Sequence, residues 1–163
     1  MAAYDQLQWH AFFAGSVGAS AALTGLLFVA ISLNLAQILK YPRLPGRAAG
    51  TLGILLGALA VGSFGLAPGQ SARVFGIEVA VTGATVAAQG IWVSAHKNVP
   101  GEPLAWTLEP LIFMPMPSLS FLAGGLSLIW GGGGGLYWIL GATILSFIVA
   151  SVNSWVLLVE ILR

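Results

Sequence analysis

The chain contains no cysteine, which excludes disulfides and thiolate–metal sites and leaves the redox compartment unmarked. Charge is nearly as scarce. Asp, Glu, Lys and Arg make up 7% of the 163 residues, against about 25% in soluble domains. A soluble fold could not cover its surface with so few charges, so the composition describes an integral membrane protein. The net charge of +1 offers no basic surface for nucleic acid. Catalytic patterns are missing too. There is no His-Glu-x-x-His run, no nucleophile beside a base, and no glycine-rich phosphate loop after a strand. The two histidines, His10 and His96, fall on opposite sides of the expected topology and cannot share a metal or haem. Glu102 and Glu109 both lie near an interface, and Glu109 before Pro110 is a usual helix start. We therefore expect no enzyme, no catalytic residue, no metal and no cofactor.

What the chain has is apolar length. Hydrophobic residues make up 58%, and mean hydropathy is +0.93. Continuous apolar runs of twenty or more residues read as helices rather than as the alternating strands of a membrane barrel. The expected fold is an all-α integral membrane bundle, one domain over 1–163, with five transmembrane helices at 11–39, 48–67, 74–95, 108–130 and 136–162. Residues 1–10 carry no Lys or Arg, and the first run is too long for a signal peptide's apolar core, so it reads as a retained anchor. Segment 108–130 holds Pro110, Pro115 and Pro117, and its remainder is too short to cross alone. The alternative is four spans plus a re-entrant segment. With five spans, Lys40, Arg43, Arg47, Lys97 and Arg163 share one side and Arg73 stands on the other. The positive-inside rule then places the N-terminus outside and the C-terminus in the cytoplasm of a multi-pass cell-membrane protein. Trp9, Trp92, Trp106, Trp130 and Trp138 lie near the expected helix ends, as an interfacial belt requires. The run 131–135 is five glycines and reads as a flexible exterior turn.

The third segment carries the most information. Glu78, Thr82, Thr85, Gln89, Trp92 and His96 follow one another at helical spacing. At about 100° per residue they fall within roughly 40° of one line. Lipid cannot satisfy such a stripe, so it must face protein or water. One reading is a path or pocket for an ion or small polar solute, with Glu78 at the outer mouth and His96, able to titrate near neutral pH, at the inner. The other is structural: Thr82, Thr85 and Gln89 bond neighbouring helices, each bond being worth about 0.6 kcal/mol, while Glu78 and His96 sit in the headgroup zone.

Two further seams read first as interhelical glue. Ser146, Asn153 and Glu160 repeat every seven residues, with Thr143 near the same face, and an Asn in mid-membrane wants a partner on another helix. Ser16, Ser20 and Thr24 step by four, and Asn34 returns to that side. Small residues around them, and the spacing Gly53-x-x-x-Gly57, allow close helix approach. Three polar seams exceed what one small bundle needs, so we expect a homo-oligomer or other membrane subunits as partners, besides membrane lipid.

The run from Gly18 to Leu35 (Gly-Ala-Ser-Ala-Ala-Leu-Thr-Gly-Leu-Leu-Phe-Val-Ala-Ile-Ser-Leu-Asn-Leu), with Pro68-Gly69-Gln70, resembles a group of small uncharacterised bacterial polytopic membrane proteins. That resemblance implies membrane location. Ser20-Ala21-x-x-Thr24-Gly25-x-x-x-Val29-Ala30 is locally similar to the pore-lining first helix of Orai calcium channels. The sequence departs from that family, since its basic residues follow this helix and no acid stands near its far end, so calcium selectivity is not implied. The expected function is a small oligomeric channel or transporter-like protein. The alternative is a non-catalytic accessory or regulatory subunit of a larger membrane complex.

Overall fold

The computed structural model describes residues 2–95 and 115–158. His96, Glu102, Trp106, Glu109 and Glu160 lie outside the described residues. Helix α1 spans His10–Leu33, α2 Leu35–Ile38, α3 Leu44–Gly65, α4 Ala72–Ala95, α5 Pro115–Trp130 and α6 Leu136–Leu158. Two 3₁₀ turns, Ala2–Tyr4 and Gln6–Trp9, precede α1. No strand occurs among the described residues. Four helical stretches are long and apolar enough to cross a membrane: Gln6–Leu33, Leu44–Gly65, Ala72–Val93 and Leu136–Leu158. This is the architecture of a multi-pass membrane protein.

The helix limits differ from the expected segments for identifiable reasons. The expected 11–39 segment breaks at Asn34, whose backbone leaves helical geometry (φ −106°, ψ 11°) and whose side-chain amide donates to the Ala30 carbonyl at 3.0 Å. Helix α3 starts four residues before the expected 48, because Pro45 stands in its first turn, where no backbone donor is lost. Arg47 thus belongs to a helix and not to the preceding turn. Of the expected segment 108–130, the described part is α5, whose 16 residues are about 24 Å long at 1.5 Å per residue, short of a 30 Å hydrocarbon core.

Helix α3 is the hub. It packs against α1, α4 and α6. Twelve of its 22 residues are buried, against four of 24 in α1. The sequence explains this centrality, since α3 offers small residues on two faces. Gly62 and Gly65 receive Val17 and the ring of Phe13 from α1, while Gly53 and Gly57 receive Gln89 and Val86 from α4. Two apolar clusters flank the bundle's middle. Phe13, Ala58, Val61, Phe75, Phe121 and Ile139 gather towards the residue-2 end. Leu27, Ala48, Leu55, Ala150 and Leu157 gather towards the other.

Helices α4 and α5 run antiparallel in backbone contact. A β-carbon on Gly76 would come within 2.8 Å of the Gly125 carbonyl oxygen, and one on Gly83 within 2.8 Å of the Ser118 oxygen. Gly83 is the twelfth of 24 residues in α4, so α5 starts near the mid-depth of its neighbour and climbs from there. The choice between five crossings and four plus a re-entrant piece falls on residues 96–114, outside the described residues.

The glycine run is folded, not slack. Gly131, Gly133, Gly134 and Gly135 have φ of 72°, 87°, 111° and 54°, which side-chain-bearing residues rarely adopt. Gly135 N–H donates to Ser127 Oγ at 2.8 Å, Trp138 Nε1 to the Gly133 carbonyl at 2.7 Å, and Gly134 N–H to the Tyr4 hydroxyl at 3.2 Å. The N-terminal 3₁₀ turns thereby close over this loop. Asp5 caps the second of them, accepting from Leu7 N–H at 3.1 Å.

Candidate functional site

Helix α4 places Thr82, Thr85 and Gln89 along one wall of a groove of about 500 Å³. The opposite wall is α3, contributing Ala49, Gly53, Leu56, Gly57, Ala60 and Phe64. Gly53 and Gly57 stand where α4 approaches closely: a β-carbon on Gly57 would stand 2.9 Å from Val86 Cγ2. The groove opens sideways, and Thr85 and Gln89 are exposed in the single chain. It is mainly apolar, with its polar groups confined to the α4 side.

Each described polar member of the stripe has a hydrogen-bond partner within the protein. Thr82 Oγ1 donates to the Glu78 carbonyl at 2.8 Å and Thr85 Oγ1 to the Thr82 carbonyl at 2.9 Å. These bonds are local to α4 and leave the hydroxyl lone pairs as acceptors. Gln89 Nε2 crosses to α3 and donates to the Ala49 carbonyl at 3.2 Å. Glu78 is partly buried and lies nearer the start of α4, where Gln70 Nε2 donates to its Oε2 at 2.5 Å. Gln70 Oε1 in the same pair is buried without a partner. Gln70 was legible in the sequence only as part of a turn. A long polar side chain eight residues before a membrane carboxylate, with Gly69 (φ 70°) letting the chain fold back, is the signal that could have found it.

The stripe is thus brought together over Glu78–Gln89, while its inner end at His96 lies outside the described residues. Trp92 is exposed, as an interfacial residue would be.

Of the two other seams, Ser16, Ser20, Thr143, Ser146 and Asn153 are buried, and Thr24 and Asn34 are partly buried. Ser146 and Thr143 donate to carbonyls of their own helix, at 2.7 Å to Ala142 and 2.8 Å to Ile139. Asn153 finds the interhelical partner its position demands: Arg47 Nε donates to Asn153 Oδ1 at 2.9 Å. Glu160, the last member of that seam, is outside the described residues. On α1, Ser16 Oγ donates to the Phe13 carbonyl at 2.9 Å and Thr24 Oγ1 to the Ser20 carbonyl at 2.7 Å. Ser20 Oγ is buried with no partner.

Among the described residues no group of three or more His, Cys, Asp or Glu could hold a metal ion. Compared with protein-family models, curated proteins and solved structures, the chain finds no match.

Proposed function

We propose that the chain is one subunit of a membrane assembly, a homo-oligomer in the simplest form, that passes an ion or small polar solute along the α3/α4 groove. One observation carries this reading. A costly amide and two hydroxyls line one wall of a groove that the single chain leaves open. Polar groups at membrane depth are sheltered by protein or water, so a neighbouring subunit that closes the groove would turn its wall into a lining. Glu78 lies beyond one end of that wall and would favour cations at the mouth. In this reading the chain crosses five times, with its N-terminus outside.

A second reading has its own observation. Glu78, Thr82, Thr85 and Gln89 are all paired inside the chain, as packing groups would be. A non-conducting accessory or regulatory subunit, offering the groove to a partner's transmembrane helix, has no need of spare polar groups.

Purified protein in liposomes separates the two. The conduit reading expects an oligomer and cation or small-solute flux that falls at least several-fold in Gln89→Leu and loses cation preference in Glu78→Gln. A monomer with no flux removes it in favour of the accessory reading. Flux that both substitutions leave unchanged removes this pathway.

A further inference from the structure

Helices α4 and α5 form one body. Gly76, Gly83 and Gly125 bring backbone against backbone between them, and a helix backbone does not yield. The α3/α4 surface differs. At Gly53 and Gly57 the nearest atoms belong to the side chains of Gln89 and Val86, and the groove runs beside them. Helix α5 starts near the mid-depth of α4 and rises towards the residue-2 end. Its contact with α6, where Gly124 meets Trp138 and Ile139, lies in that half.

Two stretches join this pair to α3 and α6, residues 66–71 and 131–135. Both lie at the residue-2 end. Both carry glycine at positive φ, Gly69 in the first and Gly131, Gly133, Gly134 and Gly135 in the second. Two pliable joints at one end make a hinge. Towards the other end, Gln89 crosses the groove to the Ala49 carbonyl by a bond of 3.2 Å at the exposed surface.

One joint is fastened from outside. Gly135 N–H donates to Ser127 Oγ of α5 at 2.8 Å, Leu136 after it begins α6, and the Ala3 carbonyl takes the space of its absent β-carbon. Gly134 N–H donates to the Tyr4 hydroxyl, and Trp9 meets Tyr137 of α6 edge-on at 5.0 Å. Residues 2–9 thereby hold the angle between α5 and α6. They are lightly held themselves, being two short 3₁₀ turns with Leu7 84% exposed. Segments of this kind open at little cost.

We propose that α4 and α5 swing together about these two joints, widening the α3/α4 groove from its Gln89 end, and that residues 2–9 latch the closed position. The swing changes the groove's shape whether or not a solute passes along it, so a distance tests it and flux does not.

The chain has no cysteine, so paired substitutions take two nitroxide labels and no others. Ile91→Cys with Val152→Cys spans the far ends of α4 and α6, and Ile91→Cys with Met116→Cys stays within the α4/α5 pair; all three positions are exposed. Double electron–electron resonance in lipid nanodiscs reads both distances, and hydrogen exchange at residues 2–9 reads the latch. Gly135→Ala should speed exchange at residues 2–9 and lengthen the Ile91–Val152 distance, with the Ile91–Met116 distance unchanged. Tyr4→Phe keeps every glycine and removes one bond. It should raise the ratio of long to short Ile91–Val152 distances about fivefold, the equivalent of one neutral hydrogen bond. An Ile91–Val152 distance that stays native while residues 2–9 exchange freely overturns the proposal. So does native exchange there in Gly135→Ala, because residues 2–9 then latch nothing. Both distances broadening together also overturns it, because α4 and α5 then do not move as one body.

Discussion

The Gln89 carboxamide occupies the space that a β-carbon on Gly53 would fill, and from there its Nε2 reaches the Ala49 carbonyl at 3.2 Å. One missing side chain on α3 thus sets the depth to which a polar side chain on α4 is drawn in. Gly83 shows the opposite case. The atoms nearest its absent β-carbon are the Leu122 amide nitrogen and the Ser118 carbonyl oxygen, which are backbone. A flexible amide can yield to a methyl group and a helix backbone cannot. Gly53→Ala should therefore cost about 0.6 kcal/mol, the lost interhelical bond. Gly83→Ala should cost about 1–3 kcal/mol as overpacking. Thermal or denaturant unfolding in detergent gives the order, and equal losses would contradict this distinction.

That contrast marks what the sequence made legible. The apolar runs announce their helices because nothing else satisfies backbone groups in lipid. Gly53 and Gly57 were readable as a packing motif by spacing alone. Gly76, Gly83 and Gly125 were not, although Gly76 and Gly83 lie seven residues apart. The polar stripe on the same helix drew attention to a different face, the one turned to α3. Asn153 declared its need for a partner, yet Arg47 is 106 residues away, and no local pattern links them. Trp155 is a further exposed aromatic near a helix end, and only its neighbourhood with Asn153 shows which end.

The Arg47–Asn153 bond joins a cation on α3 to an amide that is 6% exposed. Removing Arg47 takes the donor from that buried amide, and removing Asn153 takes the acceptor from a partly buried guanidinium nitrogen, each at about 1–3 kcal/mol. Arg47→Leu and Asn153→Leu should each destabilise the protein by that order. The double variant should lose less than the sum, since the bond can be lost only once. A double-mutant cycle on unfolding free energies measures the coupling, and strict additivity would show that the two groups act separately.

The glycine loop makes a prediction about the first residues of the chain. At Gly135 a β-carbon would meet the Ala3 carbonyl, and φ is 54°. Gly135→Ala is therefore opposed twice, by contact and by backbone conformation. Residues 2–9 should detach from the loop, with faster hydrogen exchange there and unchanged exchange in α3. Tyr4→Phe removes one bond from the Gly134 amide and should give a milder effect of the same kind. Exchange in residues 2–9 that Gly135→Ala leaves at the native rate would mean that the loop does not hold the N-terminal turns.

Glu78 and Gln70 allow the fold to be separated from any transport role. Glu78→Gln keeps an acceptor for the Gln70 amide and a side chain of the same size, so stability should change by under about 1 kcal/mol. Gln70→Leu instead strips a partly buried carboxylate of the amide that holds it. Bonds to charged groups contribute about 1.5–3 kcal/mol, and the loss should be of that size. If Glu78 acts on a permeating cation, the two substitutions rank in reverse in liposome flux: Glu78→Gln, harmless to the fold, should abolish cation preference, while Gln70→Leu should retain it in the protein that stays folded. Unfolding midpoints and flux recorded on the same preparations test both orders at once. A Glu78→Gln protein as unstable as Gln70→Leu would mean that the carboxylate's charge, and not its hydrogen bond, holds this end of α4.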